Sequence, residues 1–158
     1  MELYLVQHGE AEPESVNPAR PLTGRGRLEV RRVARAAARL GLGIQQIRHS
    51  GKRRAEETAA ILGEALGPLE GVVAVSGLNP NDDVRPVAED LARESRSLML
   101  VGHLPFIARL AGLLVAGDPD RPVVRFRYAA VVCLGLEEGR WLVNWVLTPE
   151  IAEATAPG

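Results

Sequence analysis

The sequence predicts an α/β fold in which a mostly parallel sheet is covered by helices on both faces and carries a C-terminal antiparallel hairpin. Three observations carry this expectation: short apolar runs that end in polar residues, helical-period stripes between them, and two β-rich runs separated by a turn signal near the C-terminus. A parallel strand is buried on both faces, so it reads as a continuous apolar run rather than an alternating one.

Leu3 to Val6 is the first such run, ending at Gln7-His8-Gly9. A Pro- and Glu-containing loop leads to Thr23, a plausible helix N-cap. Val30, Val33, Ala34, Ala37 and Leu40 then recur at helical spacing, with arginines on the opposite face, until Gly41. A weak strand through Ile44 to Ser50 precedes a second helix with Ala55, Ala59, Leu62 and Leu66 as its buried stripe and Gly67 as its stop. Val72 to Val75 reads as a short strand, and Asp82 or Asp83 as the cap of a third helix with Pro86 in its first turn. Leu98 to Val101 is again wholly apolar and ends in Gly102-His103-Leu104-Pro105. Pro105 suits the start of a fourth helix, whose core face is Phe106, Ile107, Leu110, Leu113 and Leu114. Tyr128 to Leu136 and Trp141 to Leu147 flank Glu137-Glu138-Gly139-Arg140, a hairpin signal. The expected organisation is one domain over 1–149, with residues 150–158 as a frayed tail.

At 158 residues and 46% hydrophobic, the chain has enough apolar material for one core. A formal net charge of -1 gives neither a basic surface suited to nucleic acid nor an acidic tail, so any phosphate affinity must be local. The single cysteine, Cys133, lies in an apolar run and forms no internal disulfide, which fits a reducing compartment. With no basic, apolar leader at Met1 and no membrane-length apolar segment, the expected location is cytoplasmic.

Three polar clusters follow strands: Gln7 to Glu10, Ser50 to Arg54, and Gly102 to Pro105. In a parallel sheet such clusters gather at the strand C-termini. Two histidines and an arginine converging there would form an anion pocket, one imidazole serving as nucleophile and the other groups neutralising phosphoryl oxygens. Helix N-termini near Arg53 and Pro105 would add backbone donors. A His8–His103 metal site lacks a third ligand, and His49, which strand alternation points away from Ser50, is read as structural.

The stretches Leu5-Val6-Gln7-His8-Gly9-Glu10, Arg20-Pro21-Leu22-Thr23 with Gly26, Ser50 followed by Arg54-Ala55-Glu56-Glu57-Thr58, and Gly102-His103-Leu104-Pro105 together resemble the histidine phosphatase superfamily. The resemblance is to its small SixA-type phosphohistidine phosphatase branch, and it runs from the first strand to the hairpin near Asn144-Trp145. It implies a three-layer α/β/α, phosphoglycerate mutase-like fold. It further implies that His8 is the nucleophile, that Arg54 binds phosphoryl oxygens and that His103 is the second pocket histidine, with no metal and no cofactor.

Two departures from the larger family bear on function. The family carries arginine where this sequence has Gln7, so a bidentate cation is replaced by a neutral amide; Arg20, Arg53 and Arg127 are candidates to compensate. The chain also has no segment for the inserted lid with which larger members protonate an alkoxide. Phosphohistidine needs less help, because imidazole has a conjugate-acid pKa of about 6.5. The resemblance therefore implies a phosphohistidine-bearing protein as substrate and partner, with Glu10 as the candidate general acid. Alternatives are a phosphatase for small phosphoesters or phosphoanhydrides, a non-catalytic phosphate- or phosphohistidine-binding module, and an interaction domain on a retained fold.

Overall fold

The computed structural model describes residues 1–158 in full. Eleven elements follow one another: β1 (Glu2–Gln7), α1 (Gly24–Arg39), β2 (Gln46–His49), α2 (Arg53–Leu66), β3 (Val72–Ala74), α3 (Arg85–Ala92), β4 (Leu98–Gly102), α4 (Phe106–Ala116), β5 (Val131–Glu137), β6 (Arg140–Leu147) and α5 (Pro149–Ala154). The six strands form one sheet in the order β3-β2-β4-β1-β5-β6. The pairs β1·β4, β2·β4 and β2·β3 are parallel, whereas β5 runs antiparallel to both β1 and β6.

Alternation along the central strands divides the core in two. Tyr4 and Val6 of β1, Met99 and Val101 of β4, and Val131 and Cys133 of β5 face the helices α1, α2 and α5. Leu3 and Leu5, Leu98 and Leu100, and Val132 and Leu134 face α3 and α4. This is the expected sandwich of helix, sheet and helix, and the apolar runs of β1 and β4 are continuous because both of their faces are covered.

Thr23 caps α1 as expected, its Oγ1 accepting the Gly26 N–H at 2.9 Å. Gly26 is there because α1 crosses the chain just after β1: a Cβ at this position would overlap the Glu10 carbonyl oxygen and press on the rest of that peptide unit. Backbone cannot rotate aside as a side chain can. Gly26→Ala is therefore expected to lower the unfolding free energy by about 1–3 kcal/mol in a urea titration, the typical cost of overpacking, even though alanine favours helix by about 1 kcal/mol.

Several sequence expectations are corrected. The start of the expected tail is ordered, up to Ala154: Thr148 Oγ1 accepts the Ile151 N–H at 3.2 Å, Pro149 opens α5, and Ala152 is buried in the core against α1. Neither Asp82 nor Asp83 occupies the N-cap position of α3, which falls to Val84; Asp83 accepts the Arg85 N–H, while Asp82 accepts that of Asn79 in the preceding turn. β2 is shorter than the run from Ile44 to Ser50, and β5 begins at Val131 rather than Tyr128 because Ala129 adopts a positive φ of 64° that turns the chain. No helix is long and apolar enough to cross a membrane.

Candidate active site

β1 and β4 are neighbours, so their C-terminal ends deliver His8 and His103 side by side. The His8 N–H donates to the Gly102 carbonyl at 3.0 Å, and the two imidazoles lie with ring centroids 5.0 Å apart at 53°. His8 is 6% exposed and His103 1%. His8 Nδ1 sits 2.7 Å from the Gly9 carbonyl oxygen. A carbonyl can only accept, so Nδ1 carries the proton and Nε2 keeps a free lone pair.

His103 is held from β2. Ser50 Oγ lies 2.6 Å from His103 Nε2 and accepts the Lys52 N–H at 3.3 Å. We assign the Ser50 hydroxyl as the donor to Nε2, so that the neutral ring carries its proton at Nδ1. His103 Nδ1 has no partner in the protein, and neither has Arg54 Nε, although both atoms are buried. Two buried donors beside a free imidazole lone pair amount to an unfilled demand for an acceptor.

The motif at the start of α2 is explained by helical spacing, since positions i, i+3 and i+4 share a face. Arg54 lies near enough for its charge to act on both histidines. Glu57 Oε1 accepts the Leu22 N–H at 2.8 Å and its Oε2 pairs with Arg27 at 2.7 Å, which pins the loop between β1 and α1. Thr58 is fully buried; its Oγ1 accepts the Gly9 N–H at 3.0 Å and its hydroxyl donates to the Arg54 carbonyl at 2.8 Å. Thr58 thus ties the turn after His8 to the backbone of Arg54. It is a positioning residue that the sequence offered only as part of a motif.

The electrostatics follow from burial among cations. Burial lowers the His8 pKa to about 4, with Arg54 and Arg20 pushing the same way and the bond to Gly9 opposing. Burial also lowers that of His103 to about 3, with His8, Arg54, Lys52 and Arg20 adding to it. Both rings are neutral near pH 7, so His8 is a nucleophile without needing a base.

Of the three arginines considered as substitutes for a cation at position 7, Arg20 is near enough to act on both histidines. Arg53 turns to Glu57 at 3.6 Å and Arg127 to Glu150 at 3.4 Å. The backbone at the start of α4 contributes less than expected, since the Phe106 N–H is taken by the Pro80 carbonyl at 3.1 Å. His49 is buried and accepts the Gly51 N–H at 3.1 Å, a structural role. Gln7 is 7% exposed and its Oε1 has no partner. Tyr128, read from sequence as a strand residue, instead packs its ring 5.7 Å from that of His8. Glu10 accepts the Thr23 hydroxyl at 2.8 Å and lines a cleft with Gln7 and Tyr128.

The structure therefore gathers Gln7, His8, Arg54 and His103 from three elements and adds Ser50, Thr58 and Tyr128. Residues 3–80 match the Histidine phosphatase superfamily (branch 1), a span that includes Gln7, His8 and Arg54. The chain is 28% identical over 155 residues to phosphohistidine phosphatase SixA of Escherichia coli (strain K12), covering 94% of each. It is 34% identical over 165 residues to an uncharacterized protein of Picosynechococcus sp. (strain ATCC 27264 / PCC 7002 / PR-6), covering 99% of this chain and 97% of the relative. The solved structure of the protein histidine phosphatase SixA complexed with tungstate superposes with a TM-score of 0.83 at 26% identity, over 94% of this chain and 97% of the other. The three-layer, phosphoglycerate mutase-like fold expected from the sequence is the one the two proteins share.

Proposed function

This chain belongs to the histidine phosphatase superfamily, and from that premise we propose that it is a phosphohydrolase in which His8 takes a phosphoryl group from phosphohistidine on a partner protein and passes it to water. The observation that carries the reading is the His8 ring, whose Nδ1–H is tied to the Gly9 carbonyl at 2.7 Å while Nε2 stays unprotonated among buried donors. In the first step the Nε2 lone pair attacks phosphorus as the bond to the leaving group breaks, leaving phosphohistidine at position 8. Water then attacks the same phosphorus and Nε2 departs with its electron pair. Arg54 Nε–H and His103 Nδ1–H are the donors available to the phosphoryl oxygens as charge shifts onto them. Each step is assigned to side chains of the chain, and the buried thiol of Cys133 fits a cytoplasmic setting.

A phosphohistidine substrate is supported by the SixA relatives and by the absence of any long insertion between the eleven elements. Incubation with a radiolabelled phosphohistidine protein, followed by parallel acid and alkaline quenches, tests the reading. Acid-labile, alkali-stable label on the chain together with release of inorganic phosphate is the expected result. Failure to see either one would sink the covalent reading.

The pKa shifts set a pH profile. With the substrate's own ionisation divided out, kcat/KM is expected to stay level from about pH 7 to about pH 5 and then to fall through about 4 as Nε2 is protonated. Stability moves in the same direction. The unfolded imidazole takes its proton near 6.5 and the folded one only near 4, so the unfolded state binds more protons in that window and stability declines as pH drops through it. A rate limb centred near 6.5 would mean that His8 is solvated rather than buried.

A further inference from the structure

Three buried side-chain atoms in this protein have no hydrogen-bond partner: Arg54 Nε, His103 Nδ1 and Gln7 Oε1. The first two are donors that a phosphoryl anion satisfies. The third is an acceptor, and an anionic oxygen cannot satisfy it; it requires an N–H or O–H. Gln7 is more than nine-tenths buried, yet it lines a cleft of about 400 Å³ on whose wall Tyr128 and Leu104, the neighbour of His103 in the chain, also stand. Tyr128 packs its ring 5.7 Å from that of His8, so one wall of the cleft is a neighbour of the nucleophile.

The charge of this cleft is opposite to that of the phosphoryl pocket. Arg54, Arg20 and Lys52 surround the histidines, whereas Glu10, Glu29 and Glu150 line the cleft. Its two arginines are engaged, Arg25 with Glu29 at 3.9 Å and Arg127 with Glu150 at 3.4 Å. Glu10 is bound only by the Thr23 hydroxyl, at 2.8 Å, and has no cationic partner. A basic pole for the phosphoryl group thus adjoins an acidic pole with an unfilled acceptor.

We propose that the cleft holds the departing ring, Gln7 Oε1 accepting the distal N–H of a protonated phosphoimidazole with the Glu10 carboxylate facing its positive charge, so that this chain favours phosphoramidates over phosphate esters. The inference rests on the phosphatase reading above and names the residues that select its substrate. The chemistry balances. The proton stays on the distal nitrogen, the P–N bond breaks as His8 Nε2 forms its own bond to phosphorus, and the electron pair returns to the proximal nitrogen, so neutral imidazole leaves. A phosphate ester has no N–H to offer Gln7, and its leaving oxygen carries negative charge toward carboxylates, which opposes departure. A protein imidazole, held by its own chain, fits a cleft open to solvent.

The experiment compares kcat/KM for N-phosphoimidazole and for p-nitrophenyl phosphate in the wild type, Gln7→Met, Gln7→Glu and Glu10→Gln, and reads the amidate-to-ester ratio. Loss of one buried hydrogen bond corresponds to about tenfold or more, so Gln7→Met is expected to lower the ratio about tenfold. Gln7→Glu keeps an acceptor and is expected to preserve the ratio. Glu10→Gln, at a partly exposed position where an amide oxygen can still accept the Thr23 hydroxyl, is expected to lower it about threefold or more by removing the charge. If Gln7 instead read a protonated phosphoryl oxygen, Gln7→Met would slow both substrates by the same factor; an unchanged ratio in Gln7→Met and Glu10→Gln overturns this assignment while leaving the phosphatase reading intact. A wild type that hydrolyses neither compound removes the phosphatase reading, and this one with it.

Discussion

His8→Ala is expected to abolish the acid-labile phosphoenzyme and to lower kcat/KM by about 10⁴-fold or more, the scale seen when a covalent nucleophile is deleted. The size of the effect follows from the local geometry. No other unprotonated ring nitrogen is available in the same position, because His103 Nε2 is engaged by Ser50 at 2.6 Å and its Nδ1 carries the proton. His103 therefore cannot replace His8 as nucleophile without surrendering the Ser50 bond and its own tautomer. His103→Ala makes the contrast: it leaves His8 Nε2 free to be phosphorylated, so label is expected to persist on the chain while turnover falls by about 10²-fold or more through loss of a positioned donor. Quench-flow measurement of label and released phosphate separates the two. Equal turnover by wild type and His8→Ala would dispose of the covalent route.

How far the sequence discloses this site depends on how each residue is held. β1 and β4 are legible because a strand covered on both faces must be apolar throughout, so the polar residues that end the runs, Gln7-His8 and His103, stand out. Arg54 is legible only through its motif, and the structure supplies the reason, since 54, 57 and 58 share one helix face while doing three different jobs. Tyr128 was hidden. Tyr128-Ala129-Ala130-Val131 reads as the start of a strand, and nothing about an alanine announces the positive φ at Ala129 that swings the tyrosine onto His8. That conformation is held by long-range contacts, the Ala129 N–H donating to the Gln7 carbonyl at 2.9 Å, which no local pattern encodes. α5 was hidden for a different reason. Six residues are too few for propensity to act on, but Thr148-Pro149-Glu150 is a helix-start signal that could have been weighed above its position near the end of the chain. The charges are the least legible of all. Counting arginines does not reveal that Arg53 and Arg127 are engaged by Glu57 and Glu150 while Arg20 reaches the histidines.

Arg54→Met is expected to lower kcat/KM by about 10³-fold, and Arg54→Lys by roughly ten- to a hundredfold, because lysine keeps the charge but not the planar fork that can meet two phosphoryl oxygens at once. The substitution is clean at the level of the backbone: the hydroxyl of Thr58 binds the Arg54 carbonyl rather than its side chain, so the link from α2 to Gly9 and His8 survives. A second readout distinguishes a phosphoryl-binding cation from a merely structural one. The Arg54 charge contributes to the low pKa of His8, and its removal makes a proton on Nε2 less unfavourable. The acid limb of kcat/KM is therefore expected to move to higher pH in Arg54→Met and to stay in place in Arg54→Lys. Loss of rate without movement of that limb would place the Arg54 charge too far from His8 to share a phosphoryl group with it, and the proposed pocket would then lose its cation.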